Sequence, residues 1–194
     1  MTGFIESGYD PRDLEYIPTE DIHTEELPEY FDYTEFLDLV IKDQGQTSTC
    51  VPHAVSTMVE GREELYARNY DIFGTYNRRS NKPEEGMTIR NALQLLRKDT
   101  NDRRITFFRL RSWQQMKWSL VANGPCVLAL PVRSMDSEFW RGSDYYGGHA
   151  VACVGYDNEG FIIQNSWGTD WGSGGKTKLL YEDVNFIIEA WGIS

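Results

Sequence analysis

Gln44-Gly45-Gln46-Thr47-Ser48-Thr49-Cys50, then Gly148-His149-Ala150-Val151, then Asn165-Ser166-Trp167-Gly168 are the stretches that decide how this chain reads. Cys50 opens a run in which Val51, Ala54, Val55, Met58, Leu65 and Tyr66 share one helical face. Ser48 or Thr49 can cap that helix, and Pro52 is tolerated in its first turn. The unsatisfied N–H groups at a helix start favour thiolate over thiol, and a neighbouring imidazolium favours it further. Gln44, six residues before Cys50, can offer a side-chain N–H to an oxyanion beside the backbone N–H of Cys50. His149 opens a strand-like run, and Asn165 lies sixteen residues later at a strand end, suited to orienting the imidazole. Trp167 can shield that hydrogen bond from water. Nucleophile, base, orienter and oxyanion donor in this order form a recipe for acyl transfer through a thioester. Each residue alone has an ordinary structural explanation, and Cys126 and Cys153, inside apolar strand-like runs, read as small buried hydrophobes.

Outward from these stretches, composition bounds the answer. The 194 residues suit one domain or two small lobes, and 40% apolar content marks a globular chain. No run approaches the ~18 apolar residues of a membrane span, so no membrane role is expected. No basic-then-apolar signal segment opens the sequence, and three cysteines are too few for a disulfide framework. Both observations favour a cytoplasmic, reducing setting. The net charge of -11 is uneven: residues 1–40 hold twelve carboxylates and one base, while the remainder is balanced. Nucleic-acid binding is not expected. A local basic cluster (Arg78, Arg79, Lys82, Arg90, Arg97, Lys98, Arg103, Arg104) reads first as a solvated face. The sharper reading is a docking site for the acidic N-terminal segment or an acidic partner.

Residues 1–26 are polar, carry Pro11 and Pro18, and read as an extended strap. Helices are predicted over Thr88 to Arg97, with Ile89, Ala92, Leu93 and Leu96 inward, and over Trp113 to Ala122. Strands are predicted over Cys126 to Val132, His149 to Tyr156, Phe161 to Asn165, Lys176 to Tyr181 and Phe186 to Ala190. His53, near the face of Cys50, reads as packing behind the nucleophile, and His23 carries no assigned role. Phe139, ahead of His149, reads as packing. No metal-ligand spacing is present, and no cofactor is expected.

Gln-Gly-(four residues)-Cys, Gly-His-Ala-Val and Asn-Ser-Trp-Gly-Thr-Asp-Trp-Gly together resemble the papain family of cysteine peptidases. The resemblance runs from Leu27 to Tyr181. Leu27-Pro28-Glu29-Tyr30-Phe31-Asp32 is similar to the family's mature N-terminus, and Ala122-Asn123-Gly124-Pro125 to the turn entering its second lobe. It implies an α+β fold of two lobes with the active-site cleft between them, one helical (about 45–105) and one β-rich and barrel-like (about 106–194), crossed by residues 27–44. Residues 1–26 would precede the peptidase domain of 27–194. Carried over by position, Cys50 is the nucleophile, His149 the base and then acid, Asn165 the orienter and Gln44 the oxyanion donor. Gly86, Met87 and Gly148 would hold substrate backbone. Ile89, Ala129 and Ala150 would line an apolar pocket for the side chain two residues before the scissile bond. Trp167 would cover the His149–Asn165 bond at the cleft edge.

The departures from the family pattern matter too. Gln46-Thr47-Ser48-Thr49 replaces the small-Cys-Gly-Ser stretch, Val51 replaces an aromatic residue, and the paired glycine is half kept as Gly86-Met87. With no long inhibitory propeptide, the pattern looks like the compact bacterial and viral branch, whose short leader Gly8-Tyr9-Asp10-Pro11 and Arg12-Asp13-Leu14-Glu15-Tyr16 fit loosely. The expected activity is hydrolysis of peptide or isopeptide bonds in a peptide or protein substrate, by a monomer. An idle papain-fold binding protein and an acyltransferase or ligase are the alternatives. The acidic strap either covers the cleft or packs on the back of the molecule, the second being the more ordinary placement.

Overall fold

All seven residues of Cys126–Val132 are buried, because the strand they form is covered on both faces. The computed structural model describes residues 2–17, 27–62, 70–101 and 105–194. In chain order the elements are β1 (Leu14–Glu15), β2 (Phe31–Asp32), α1 (Cys50–Glu60), α2 (Ile72–Asn77), α3 (Ile89–Thr100), β3 (Phe107–Arg109) and α4 (Trp113–Asn123). They are followed by β4 (Cys126–Val132), β5 (Gly147–Tyr156), β6 (Gly160–Gln164), β7 (Lys176–Leu180) and β8 (Glu189–Ile193). Cys126, Leu128, Leu130 and Val132 of β4 join a core with Met116 and Leu120 of α4. Val127 and Ala129 join a second core with α1 and α3. A strand clothed on both faces reads as a continuous apolar run, which is why β4 was legible residue for residue.

The sheet order is β1-β3-β8-β4-β5-β6-β7, with β2 pairing β5 off this path. β1 runs parallel to β3, and the other pairs are antiparallel. The fold is therefore α+β and two-lobed, but its sheet is mixed and open. The expected barrel-like lobe is corrected: closure needs the end strands to pair, and β1 and β7 have different neighbours and do not meet. Hydrophobic alternation is the same for an open sheet and a closed one, so the pattern alone could not separate them.

The helices form for local reasons. The Thr88 hydroxyl accepts from Asn91 N–H at 3.1 Å to cap α3, whose buried residues are Ile89, Ala92, Leu93 and Leu96. Ser112 caps α4 in the same way. The reading of α1 beyond Glu60, at Leu65 and Tyr66, falls outside the described residues, as do Pro18, His23, Arg103 and Arg104. Four elements were not anticipated: α2, β2, β3, and β1 within the strap. The last strand was placed early, because Tyr181–Phe186 forms a 3-10 turn and β8 starts at Glu189. Cys126 and Cys153 are directly opposed on β4 and β5, free and buried. Among the described residues no helix is long and apolar enough to cross a membrane.

Truncating Leu128, fully buried in β4, to alanine is expected to cost about 2–5 kcal/mol, against less than about 0.5 kcal/mol for exposed Val40→Ala. Urea denaturation of the two variants measures the difference.

Candidate active site

The segment before α1 is stitched to the segment after Asn165. Gln44 N–H donates to Ser166 O at 2.9 Å, Gly168 N–H donates to Lys42 O at 3.0 Å, and Asp43 bridges Trp167. Gly45, at φ +55, makes the turn that this approach requires. Thr49 is the N-cap of α1, but its hydroxyl pairs with that of Thr47 at 2.6 Å and caps no helix N–H. The open N–H groups of the first turn are thus left beside Cys50.

His149 lies on β5 opposite Leu130. Its ring stacks on Trp167, with centroids 4.6 Å apart, and meets Phe139 edge-on at 5.5 Å. Nε2 is 2.7 Å from Asn165 Oδ1. That oxygen also accepts Ser166 N–H at 2.8 Å, which identifies it as the acceptor and Nε2–H as the donor. In the neutral ring Nδ1 then carries the lone pair, and it has no hydrogen-bond partner among the described residues. The amide of the next residue, Ala150, hydrogen-bonds the Cys50 sulfur, which puts nucleophile and imidazole on either side of one peptide.

Gln44 is buried, and its orientation is fixed. Oε1 accepts from Ser166 Oγ at 2.7 Å, so the amide nitrogen faces the other way, where it donates one hydrogen to Thr47 O at 2.8 Å. A second hydrogen remains for an oxyanion. Ser166, inside a quoted motif, had been given no role, and its hydroxyl is what sets this orientation. Its neighbours carried the visible signal. His53 bonds Thr49 O through Nδ1 at 2.8 Å and meets Phe73 edge-on, so it is held within its own helix region. Phe139 is fully buried among Trp140, His149, Trp167 and Trp171.

Of the described strap residues, 2–5 run through the cleft rather than on the back of the molecule, while Leu14–Glu15 pair with β3 at the sheet edge. Gly3 and Phe4 N–H both donate to Gly148 O at 3.2 Å, Ile5 N–H donates to Met87 O at 3.0 Å, and Met87 N–H donates to Gly3 O at 2.8 Å. The bridge between Phe4 and Met87 is parallel. Phe4 packs on the apolar cluster that holds Met87, Ile89, Ala129 and Ala150. The predicted pocket residues are therefore together, with a strap aromatic against them. Glycines allow the fit: a Cβ on Gly148 would meet Phe4 Cδ1 at 2.4 Å, and one on Gly3 would meet Ser48 O at 2.2 Å.

This cover sets the electrostatics. Cys50 and His149 are both 0% exposed. Burial pushes the Cys50 thiol up to about 11, against amide hydrogen bonds from Ala150, Val51 and Gly3 that lower it. Burial takes the His149 imidazole down to about 4, opposed by its bond to Asn165. The strap-docked pair is accordingly a neutral thiol and a neutral imidazole, and not the thiolate expected at a helix start. Among the described residues no group of three or more His, Cys, Asp or Glu is placed to hold a metal ion.

The model of the papain family cysteine proteases matches residues 76–190, more than half of the chain. The chain belongs to the papain family of cysteine proteases. The matched range holds His149 and Asn165 and starts after Gln44 and Cys50. The chain is 37% identical over 65 residues to papain from Carica papaya, a stretch covering 30% of this chain and 19% of papain. It thus spans about a fifth of that relative's length. Among solved structures it is similar to xylellain, a cysteine protease from Xylella fastidiosa, with a TM-score of 0.80 and 23% identity over 100% of this chain and 95% of that one. It is also similar to procathepsin B S9 from Trypanosoma congolense, with a TM-score of 0.75 and 18% identity over 100% and 85% of the two chains. At these identities the structural likeness speaks for the fold.

Two outcomes follow from the covered pair. Thiolate absorbance attributable to Cys50, taken as the difference from Cys50→Ala, is expected only as pH approaches 11, with His149 ring resonances titrating near pH 4. A Cys50 thiolate already formed at neutral pH would show that the strap does not desolvate the pair. Gly3→Ala, whose Cβ cannot fit beside Ser48 O, is expected to dislodge the strap and raise Cys50 alkylation roughly tenfold or more. Unchanged alkylation would mean that the strap is not the barrier.

Proposed function

We propose that this chain is a cysteine peptidase that hydrolyses peptide bonds through a thioester on Cys50, restrained by its own strap. The observation that carries the reading is the His149 ring. It is locked by Asn165 and Trp167 in the tautomer that leaves Nδ1 as a base, one residue from the amide that bonds the Cys50 sulfur. Membership of the papain family of cysteine proteases and the sequence motifs support the same chemistry.

With the strap displaced and the cleft hydrated, the burial penalty on both charged forms falls. The Cys50 proton then passes to His149 Nδ1. The thiolate attacks the substrate carbonyl carbon, and the oxygen takes the negative charge within reach of the Cys50 N–H and the remaining Gln44 N–H. Collapse breaks the C–N bond, and the leaving amine takes the proton from His149. Water then gives a proton to His149 and attacks the thioester, and the thiolate is regenerated. Asn165 keeps the ring aimed throughout, because its Oδ1 accepts from Nε2–H in both the neutral and protonated ring. Docked in parallel against Met87, the strap blocks the cleft.

The test is mass labelling by an epoxysuccinyl peptide together with hydrolysis of a quenched peptide mixture, in the full chain and in Gly3→Ala. One label per chain is expected, faster in Gly3→Ala and absent in Cys50→Ala. His149→Ala is expected to lose roughly 10²–10⁴-fold in hydrolysis. A folded Gly3→Ala chain that neither labels nor cleaves would sink the peptidase reading and leave an idle binding fold.

A further inference from the structure

Two arginines from different elements converge on one carboxylate of the strap. Arg90, in the first turn of α3, donates Nε to Asp13 Oδ1 at 2.7 Å and Nη2 to Asp13 Oδ2 at 2.5 Å. Arg109, on β3, donates Nε to Asp13 Oδ2 at 2.8 Å. Arg90 also donates to the carbonyls of Ser7 and Gly8, and Arg109 donates to Gly8 O. Arg109 has an acceptor of its own in the body of the protein, Glu189, at 3.2 Å. Arg90 has none among the described residues: every acceptor of its guanidinium belongs to the strap.

The charges balance only while the strap is docked. Arg90 and Arg109 are 14% and 9% exposed at the side chain, Asp13 7% and Glu189 2%. Withdrawing Asp13 leaves two guanidinium groups beside one carboxylate of the body, Glu189. Trp191 keeps both in place, with Arg109 4.5 Å and Arg90 5.7 Å from its ring. Burial raises the Glu189 carboxyl, against bonds from Ser7 and Arg109, which weakens the one remaining counter-charge. An opened cleft therefore ends in a preformed two-pronged fork that lacks an anion. Arg90 directly follows Ile89, which lines the apolar pocket on the Met87 side of the cleft. Gly3, bonded to the Cys50 sulfur, and Ser7, bonded to Arg90, are four residues apart, at most about 14 Å of extended chain.

We propose that Arg90, backed by Arg109, is a substrate subsite for a side-chain carboxylate carried three or four residues before the scissile bond, and that Asp13 occupies it in the strap-docked chain. The inference rests on the peptidase reading and adds a substrate class, peptides acidic on the amino side of the cut. The planar guanidinium takes both carboxylate oxygens, as it does with Asp13, so a lysine there would keep the charge and lose the paired bonds.

The experiment uses the full chain with Cys50→Ala, Gly3→Ala and Asp13→Ala, which cannot cut, has its strap dislodged from the cleft and lacks the carboxylate that fills the fork. Fluorescent hexapeptides, alike except for Glu or Gln at the third or fourth position before the cut, are titrated by anisotropy at low salt. The Glu peptide is expected to bind roughly tenfold tighter or more. Arg90→Gln should erase the difference between the two peptides, and Arg90→Lys should restore only part of it. Equal affinities for the two peptides overturn the subsite. N-acetylglutamate is titrated in parallel against the Arg90 Nε–H resonance, with N-acetylglutamine as control. If neither peptide binds but N-acetylglutamate alone shifts that resonance, the anion site stands and the peptidase reading falls. If it shifts nothing, the site falls whatever the peptides do.

Discussion

The pairing of β4 with β5 is the constraint on which the molecule depends. Both strands are buried on both faces, and their seven opposed pairs run from Cys126–Cys153 to Val132–Gly147. Successive residues of β5 serve opposite sides. His149 goes to the aromatic group of Phe139 and Trp167, and Ala150 goes to the core of α1 and α3, with its amide on the Cys50 sulfur. The imidazole and the thiol are thereby brought together across one peptide bond. A slip of one residue in register would exchange these faces and undo both the packing and the site, which is why so small an arrangement needs a sheet buried this deeply.

Through residues 2–5, the strap buries that arrangement away from solvent. Its backbone completes hydrogen bonds that Met87 and Gly148 would otherwise offer to another chain, and Phe4 covers the apolar cluster. Excluding water raises the thiol and lowers the imidazole, so both hold their neutral forms although a helix start favours the anion. The clasp further along is electrostatic. Asp13 is raised by burial, but the bonds from Arg90 and Arg109 outweigh this and hold its carboxyl below the ordinary 3.8. A group held low in this way supports docking above its ordinary pKa, and that support fades as pH falls below it. The uneven charge in the sequence thus has a partial physical meaning. Among the described carboxylates of the first forty residues, Asp13 is the one buried against two cations.

What was legible in the sequence follows from locality. α3 and α4 carry caps and periodic faces, β4 an unbroken apolar run, and their bounds came out within a few residues. α2 and β3 are short and lack such signals; the three residues of Phe107–Arg109 are a strand because β8 and β1 pair with them. Phe186-Ile187-Ile188 looked like strand, but Phe186 ends a 3-10 turn and Ile187 and Ile188 are coil, with Phe186 and Ile187 meeting the core without strand pairing. The open sheet could not be told from a barrel, because closure depends on which strand ends meet.

By itself the sequence determined the residue types and their order: a cysteine at a helix start, a histidine and an asparagine on later strands, and a glutamine ahead of them all. Those choices set what chemistry is available, because reactivity is a property of side chains and their immediate backbone. Only the tertiary structure decided that Ser166 orients Gln44, that the strap lies in the cleft, and that Arg90 and Arg109 share one strap carboxylate. Each joins residues distant in the chain, and hydrogen bonds, burial and the charge state of a thiol depend on which groups are near in space and on whether water is among them.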